Sequence, residues 1–237
     1  MVALVKIQAS TGEILSAYFI TGTGTDIGKT WLSCALLKHW RAAGFTTRAY
    51  KPVLSGFDAS DAAASDAGAL LAAQGIPVNA HSIEAIALWR FAAPLSPDMA
   101  AALAGCTIDF AALVAITRRV ASTNSQNERI LVEGVGGVMV PLDDTHTVRD
   151  WIAASNLPCI LVAGSYLGSL SHTLSALAAL REVDVEVKAI AVNESLNSSV
   201  TLADTIASLQ RHANGIEVVG IRRDAPETGI ATLAAMR

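Results

Sequence analysis

The sequence predicts an α/β fold: a single doubly wound domain with a mostly parallel central sheet flanked by helices. Three observations predict it. Short apolar runs alternate along the chain with longer amphipathic segments. The runs are continuously apolar, as strands covered on both faces are. The 237 residues carry no repeat, linker or low-complexity tract, so one sheet with helices on both sides is the economical arrangement.

Taken in order, residues 17–22 (AYFITG) form a buried strand. A helix is predicted over 28–43, with Leu32, Ala35, Leu36, His39, Trp40 and Ala43 on one face and Gly44 at its stop. Residues 48–53 (RAYKPV) read as a second strand bounded by Pro52, 55–65 as a loop, and 66–73 as the start of a helix. Residues 83–89 fit either helix or strand, and Pro94, Ser96 and Pro97 mark a turn. A helix over 109–121 leads to a strand over 129–132 (RILV), which runs into Glu133 and a tight loop holding Gly134, Gly136 and Gly137. A strand over 159–163 and a helix over 169–183 follow. Strands over 187–192 and 217–221, and helices over 201–211 and 226–236, complete the 1–237 domain, with 1–16 as a short N-terminal extension. Trp40, Trp89 and Trp151 read as core or interface side chains.

Composition narrows the function. Apolar residues make up 52% and charged residues 16%, a globular balance whose low charge suggests surface covered by another subunit. The net charge is −4, and Arg118-Arg119 and Arg222-Arg223 are pairs without a basic run, so nucleic acid is not an expected partner. Cys34, Cys106 and Cys159 are far apart and form no Cys/His cluster, which predicts buried free thiols in a reducing compartment. The N-terminal residues make a poor secretion signal, and no window of about 18 apolar residues exists. No membrane association and a cytoplasmic location are therefore expected.

The chemistry begins where the first strand runs into GTGTDIGKT, residues 22–30, and then into a helix. That context makes the segment a phosphate loop, and the domain a P-loop domain. Its backbone N–H groups and the helix N-terminus can cradle a β-phosphate. Lys29 can bridge the β- and γ-phosphates, and the Thr30 hydroxyl can hold Mg²⁺. The loop is a variant: five residues separate Gly22 from Gly28, where the general pattern has four. Glu133, at a strand's C-terminal end, is placed to coordinate magnesium or to brace a loop. Lys51 is as readily a site residue as a solvated strand end. Spacing alone leaves Asp66 an ordinary acid in a helix's first turn. Asn193 can bond a base edge or make a turn. The five histidines, His39, His81, His146, His172 and His212, show no metal spacing.

GTGTDIGKT, YKPVLSG, SDA, PLSPDMAA and VEGVGGVMVPL occur in that order, and together they resemble the dethiobiotin synthetase family from about Tyr18 to Asn193. The resemblance implies a homodimeric P-loop enzyme that uses ATP and Mg²⁺ to join CO₂ to 7,8-diaminononanoate. A carbamate and then a carbamic–phosphoric anhydride precede closure of the cyclic urea. It implies that Thr30, Asp66 and Glu133 are the magnesium ligands. Lys29 and Lys51 match the lysines around the carbamate and γ-phosphate, and Ser55 matches a substrate contact, which makes these three the catalytic set. Asp26, Ile27, Gly28, Lys29, Thr30 and Trp31, with Asp66, Glu133, Gly134, Val135 and Gly136, match the nucleotide site, and Asn193 the adenine contact.

The chain departs from the family's pattern at Gly24, often Asp, at Asp98, usually His, and at Ser171, commonly Asn. The stretch Val219-Gly220-Ile221-Arg222-Arg223 lacks the proline expected after its glycine, which leaves the choice of triphosphate open. Two rivals fit less well. Amide-forming synthetases of the cobyrinic acid type carry a glutaminase domain for which the chain has no room. Partitioning-type switch ATPases carry a second lysine at the position of Gly24.

Overall fold

The computed structural model describes residues 17–122 and 125–236. Its elements begin with β1 (Ala17–Gly22), α1 (Lys29–Ala42), β2 (Thr46–Tyr50), β3 (Val53–Ser55), α2 (Asp66–Gln74), α3 (Ala80–Ile86), β4 (Trp89–Phe91) and α4 (Pro97–Leu103). They continue with α5 (Phe110–Ser122), β5 (Glu128–Glu133), α6 (Val148–Ser155), β6 (Cys159–Gly164), α7 (Ser169–Glu182), β7 (Val187–Asn193), α8 (Leu202–His212), β8 (Glu217–Ile221) and α9 (Glu227–Ala234).

Among the described residues the main sheet has six strands in the order β2-β5-β1-β6-β7-β8, every pair parallel. β1 and β6 are buried at every position. Side chains of β1 divide by the two-residue period of a strand. Phe19 joins the core shared with Leu113, Trp151 and Leu177, on α5, α6 and α7. Tyr18 and Ile20 join the core shared with Leu36, Leu70 and Ile230, on α1, α2 and α9. This is the predicted doubly wound sandwich. From β1 the chain crosses past β5 to β2 on one side, and from β6 it runs outward on the other, so the reversal lies at the C-terminal end of β1, between β5 and β6, where such sheets hold ligands.

Several local expectations are corrected. The strand expected over 48–53 splits: Thr46–Tyr50 pairs with β5, whereas Val53–Ser55 pairs with β4 in a separate parallel ribbon. Pro52 has no N–H for the ladder, and its carbonyl instead accepts from Leu88 and Trp89 at 3.1 and 2.9 Å. The loop 55–65 contains a 3₁₀ turn over Ala59–Ala64, capped by the Asp58 carboxylate on Ser60 N–H. Ser96-Pro97 caps and opens helix α4, with proline at its first position. The sequence pattern predicts no helix where α6 stands. The Asp150 carboxylate fixes its start by accepting from the N–H and hydroxyl of Thr147. On α1 the inner face is Leu32, Ser33, Leu36, Leu37 and Trp40, while His39 and Ala43 face outward. Trp40 and Trp151 are core residues. Trp151 packs edge-on against Phe19 at 4.7 Å and donates to Thr117. Residues 1–16, the expected extension, lie outside the described residues.

Candidate active site

The phosphate loop leaves β1 at the sheet's C-terminal edge. Gly28 caps α1 with φ of 90°, and a Cβ there would stand 2.5 Å from the Asn193 Nδ2, so only glycine fits. Asn193 comes from the end of β7, and its Nδ2 donates to the Ile27 carbonyl at 2.7 Å. The residue expected at the base thus also braces the loop. Asp26 is exposed at φ 57°, in the left-handed region.

Lys29 donates to the Gly24 carbonyl at 2.7 Å. Burial, with Lys51 nearby, lowers its pKa to about 8. Thr30 donates to Glu133 Oε1 at 2.6 Å, and Ser33, one turn on, donates to Glu133 Oε2 at 2.6 Å. Lys51, where the chain leaves the main sheet, is 3% exposed. Its ammonium meets Glu133 Oε1 at 2.7 Å, the Gly134 carbonyl at 3.0 Å and Asp66 Oδ2 at 3.0 Å. Three oxygens therefore match three N–H donors. Burial works against the Lys51 charge, but the two carboxylates outweigh it and hold the pKa above the ordinary lysine range. Burial also opposes the charge on Asp66, and Lys51 outweighs it, so that carboxyl lies below its usual range.

Two cavities flank the loop. The larger, about 800 Å³, is lined by Lys29, Thr30, Lys51, Ser55, Asp66, Val135 and Gly136. The Ser55 hydroxyl is buried there without a partner. The smaller, about 490 Å³, is lined by Ile27, Tyr166, Asn193, Glu194 and Arg223. The Asn193 Oδ1 is likewise buried and unpartnered. Asp26, Gly28 and Trp31 border both cavities. Glu133 and Gly134 line neither. Glu133 is 1% exposed and lies behind Thr30 and Lys51. The larger space accommodates a phosphate tail beside a small substrate, and the smaller a nucleoside.

Sequence reasoning missed Ser33, the α4 wall formed by Ser96 and Met99, and Tyr166, Glu194 and Arg223. For Ser33 the available signal was a hydroxyl three residues after Thr30, on the same face of a helix. Burial and Glu133 push the Cys34 thiol up to about 11, and burial pushes Cys159 to about 12, so neither is a ready nucleophile.

Among the described residues no group of three or more His, Cys, Asp and Glu side chains is placed to hold a metal. The available donors are two carboxylates and a hydroxyl, from Asp66, Glu133 and Thr30. The Lys51 ammonium already sits between the two carboxylates, so they favour positive charge, and a metal ion would have to share them with Lys51. Few protein oxygens, completed by phosphate and water, is the usual environment of Mg²⁺.

A family model described as an AAA domain matches residues 16–224. An ATP-dependent dethiobiotin synthetase of Acidiphilium cryptum is 48% identical, over 84% of this chain and 88% of its own. The one from Phenylobacterium zucineum is 41% identical over 93% of each chain. The chain belongs to the ATP-dependent dethiobiotin synthetase family. A family member from Escherichia coli O157:H7 is 34% identical over 82% of this chain and 84% of its own. Among solved structures the likeness is one of fold. The MinC:MinD cell division complex of Aquifex aeolicus aligns at TM-score 0.54 and 9% identity, covering 92% of this chain and 86% of that one. The Cyanthece McdA aligns at 0.52 and 12%, covering 92% of each. This dethiobiotin synthetase family member therefore shares its P-loop scaffold with those proteins. Among the described residues, no helix is long and apolar enough to cross a membrane.

Proposed function

We propose that the chain is a dethiobiotin synthase, forming the ureido ring of dethiobiotin from 7,8-diaminononanoate, CO₂ and ATP. One substrate amine adds to CO₂ and loses a proton, giving a carbamate. A carbamate oxygen attacks the γ-phosphorus and ADP leaves, giving a carbamic–phosphoric anhydride. The second amine attacks the anhydride carbon, and phosphate leaves with the proton that this amine loses as the ring closes. The observation that carries this reading is the convergence of Lys29, Lys51, Asp66 and Thr30 on one cavity beside the phosphate loop.

The reaction passes a phosphoryl group between anions, so positioning and charge neutralisation are what the protein must supply. Lys29 and the N-terminus of α1 supply positive charge to the triphosphate. The charge of Lys51, held beside the cavity, attracts the carbamate, towards which it can turn an N–H by releasing the half-exposed Asp66, and the unpartnered Ser55 hydroxyl is free to bond the substrate. Thr30, Asp66 and Glu133 would hold Mg²⁺, which would supply neutralising positive charge to the triphosphate. Asp26 to Trp31, Gly134 to Gly136 and Asn193 surround the nucleotide.

The enzyme works as a homodimer in the cytoplasm. The low charge fraction and the exposed Met99 and Leu103 on α4 support a second copy as partner, and the free thiols support the compartment. The test is phosphate release from ATP-Mg²⁺. Diaminononanoate and bicarbonate together stimulate it. Release indifferent to the diamine overturns the reading.

A further inference from the structure

Ser33 is fully buried on the inner face of α1, where the other buried side chains beyond Thr30 are Leu32, Leu36, Leu37 and Trp40. Its hydroxyl donates to Glu133 Oε2 at 2.6 Å, while Thr30 donates to Oε1 at the same distance. Thr30 and Ser33 are neighbours on the helix surface, spaced i and i+3. Between them the two hydroxyls fix both oxygens of one carboxylate. The terminal torsion of a glutamate is otherwise broad and soft. Oε1 is the oxygen that also meets Lys51.

We infer that Ser33 is a positioning residue for the reaction: by holding Oε2 it keeps Oε1 of Glu133 turned towards Thr30 and Lys51, the side on which a magnesium ion would meet it. This rests on the reading of Thr30, Asp66 and Glu133 as magnesium ligands. Without the hydroxyl, Oε2 is a buried charged acceptor lacking its donor, which is costly. The carboxylate then turns to share Thr30 or Lys51 between its oxygens, and the cation loses an aimed ligand. A serine that only satisfied a buried acceptor would change stability and leave cation affinity alone.

The experiment is Mn²⁺ binding to the full-length protein with a non-hydrolysable ATP analogue, followed by electron paramagnetic resonance. Ser33→Ala weakens Mn²⁺ about tenfold or more, the usual scale for residues that orient metal ligands. Ser33→Thr, which keeps the hydroxyl, stays close to wild type. In a Glu133→Gln background, Ser33→Ala adds nothing further. If Ser33→Ala does not fold, Ser33→Cys, of similar size with a weak S–H donor, carries the same comparison. Unchanged Mn²⁺ affinity in the Ser33 variant, or an undiminished effect in the Glu133→Gln background, overturns the assignment of Ser33. Unchanged affinity in Glu133→Gln alone overturns the ligand reading beneath it, and the Ser33 role with it.

Discussion

Lys51 and Glu133 meet at 2.7 Å, both nearly sealed from solvent, with Asp66 on the other side of the ammonium. The pair joins the point where the chain leaves β2 to the end of β5. It places a fixed positive charge beside the larger cavity.

Lys51→Ala is expected to lower turnover by a factor of about 10²–10³, the scale for losing one preorganised donor. Nucleotide affinity should stay within a few-fold of wild type, because Lys29 and the loop remain. Steady-state kinetics beside calorimetric nucleotide titration separates the two. Unchanged turnover removes Lys51 from the reaction.

Glycines of the phosphate loop should differ sharply. Gly28→Ala drives a Cβ against Asn193 at a φ that disfavours side chains, so it should abolish nucleotide binding and cost roughly 1–3 kcal/mol of stability. Gly24→Ala has nothing within 4 Å of the new atom and should be nearly silent. Thermal unfolding and nucleotide titration of both variants make the comparison.

Asn193→Ala removes the bond to the Ile27 carbonyl. A neutral hydrogen bond is worth about 0.5–1.5 kcal/mol, so the KM for ATP should rise roughly two- to tenfold with turnover little changed. A change confined to turnover contradicts the bracing role.

Lys29 sets a pH dependence. Burial and Lys51 hold it at about 8 in the free protein, against about 10.4 for an unperturbed lysine. Between these values the native chain binds fewer protons than the unfolded one, so this group's contribution to stability rises with pH. Its destabilising effect is present in full below about 8 and is lost above the unfolded value. A triphosphate favours the ammonium, so ATP binding should take up a proton above pH 8 and almost none at pH 6.5. Calorimetry in buffers of different ionisation enthalpy measures that uptake; its absence at pH 8.5 contradicts the placement of Lys29 on the phosphates.

Much of this was legible in the sequence because it is local. Continuous apolar runs announced β1, β5, β6, β7 and β8, and the loop announced itself by GTGTDIGKT. What was illegible is long-range or short-lived. Lys51 lies 82 residues from Glu133, and no spacing states that they pair. Spacing alone leaves Asp66 a first-turn acid; the family resemblance makes it a site residue, and the fold brings it within 3.0 Å of Lys51. Pro52 marks a boundary in the sequence, but the bonds from Leu88 and Trp89 to its carbonyl, beside which β3 joins its own ribbon, come from residues 36 and 37 positions away. Helix α6 has only eight residues, and its Thr147–Asp150 start hides in the polar run DDTHT. Ser33 was hidden for the opposite reason, as one small polar residue on an apolar helix face.

The central claim is that the γ-phosphate activates a carbamate for ring closure. It is tested most directly by incubating the protein with ATP, Mg²⁺, 7,8-diaminononanoate and ¹³C-bicarbonate and analysing the product by mass spectrometry. The account predicts dethiobiotin labelled at its ureido carbon, with one phosphate released per ring formed. Phosphate release without labelled dethiobiotin would contradict it.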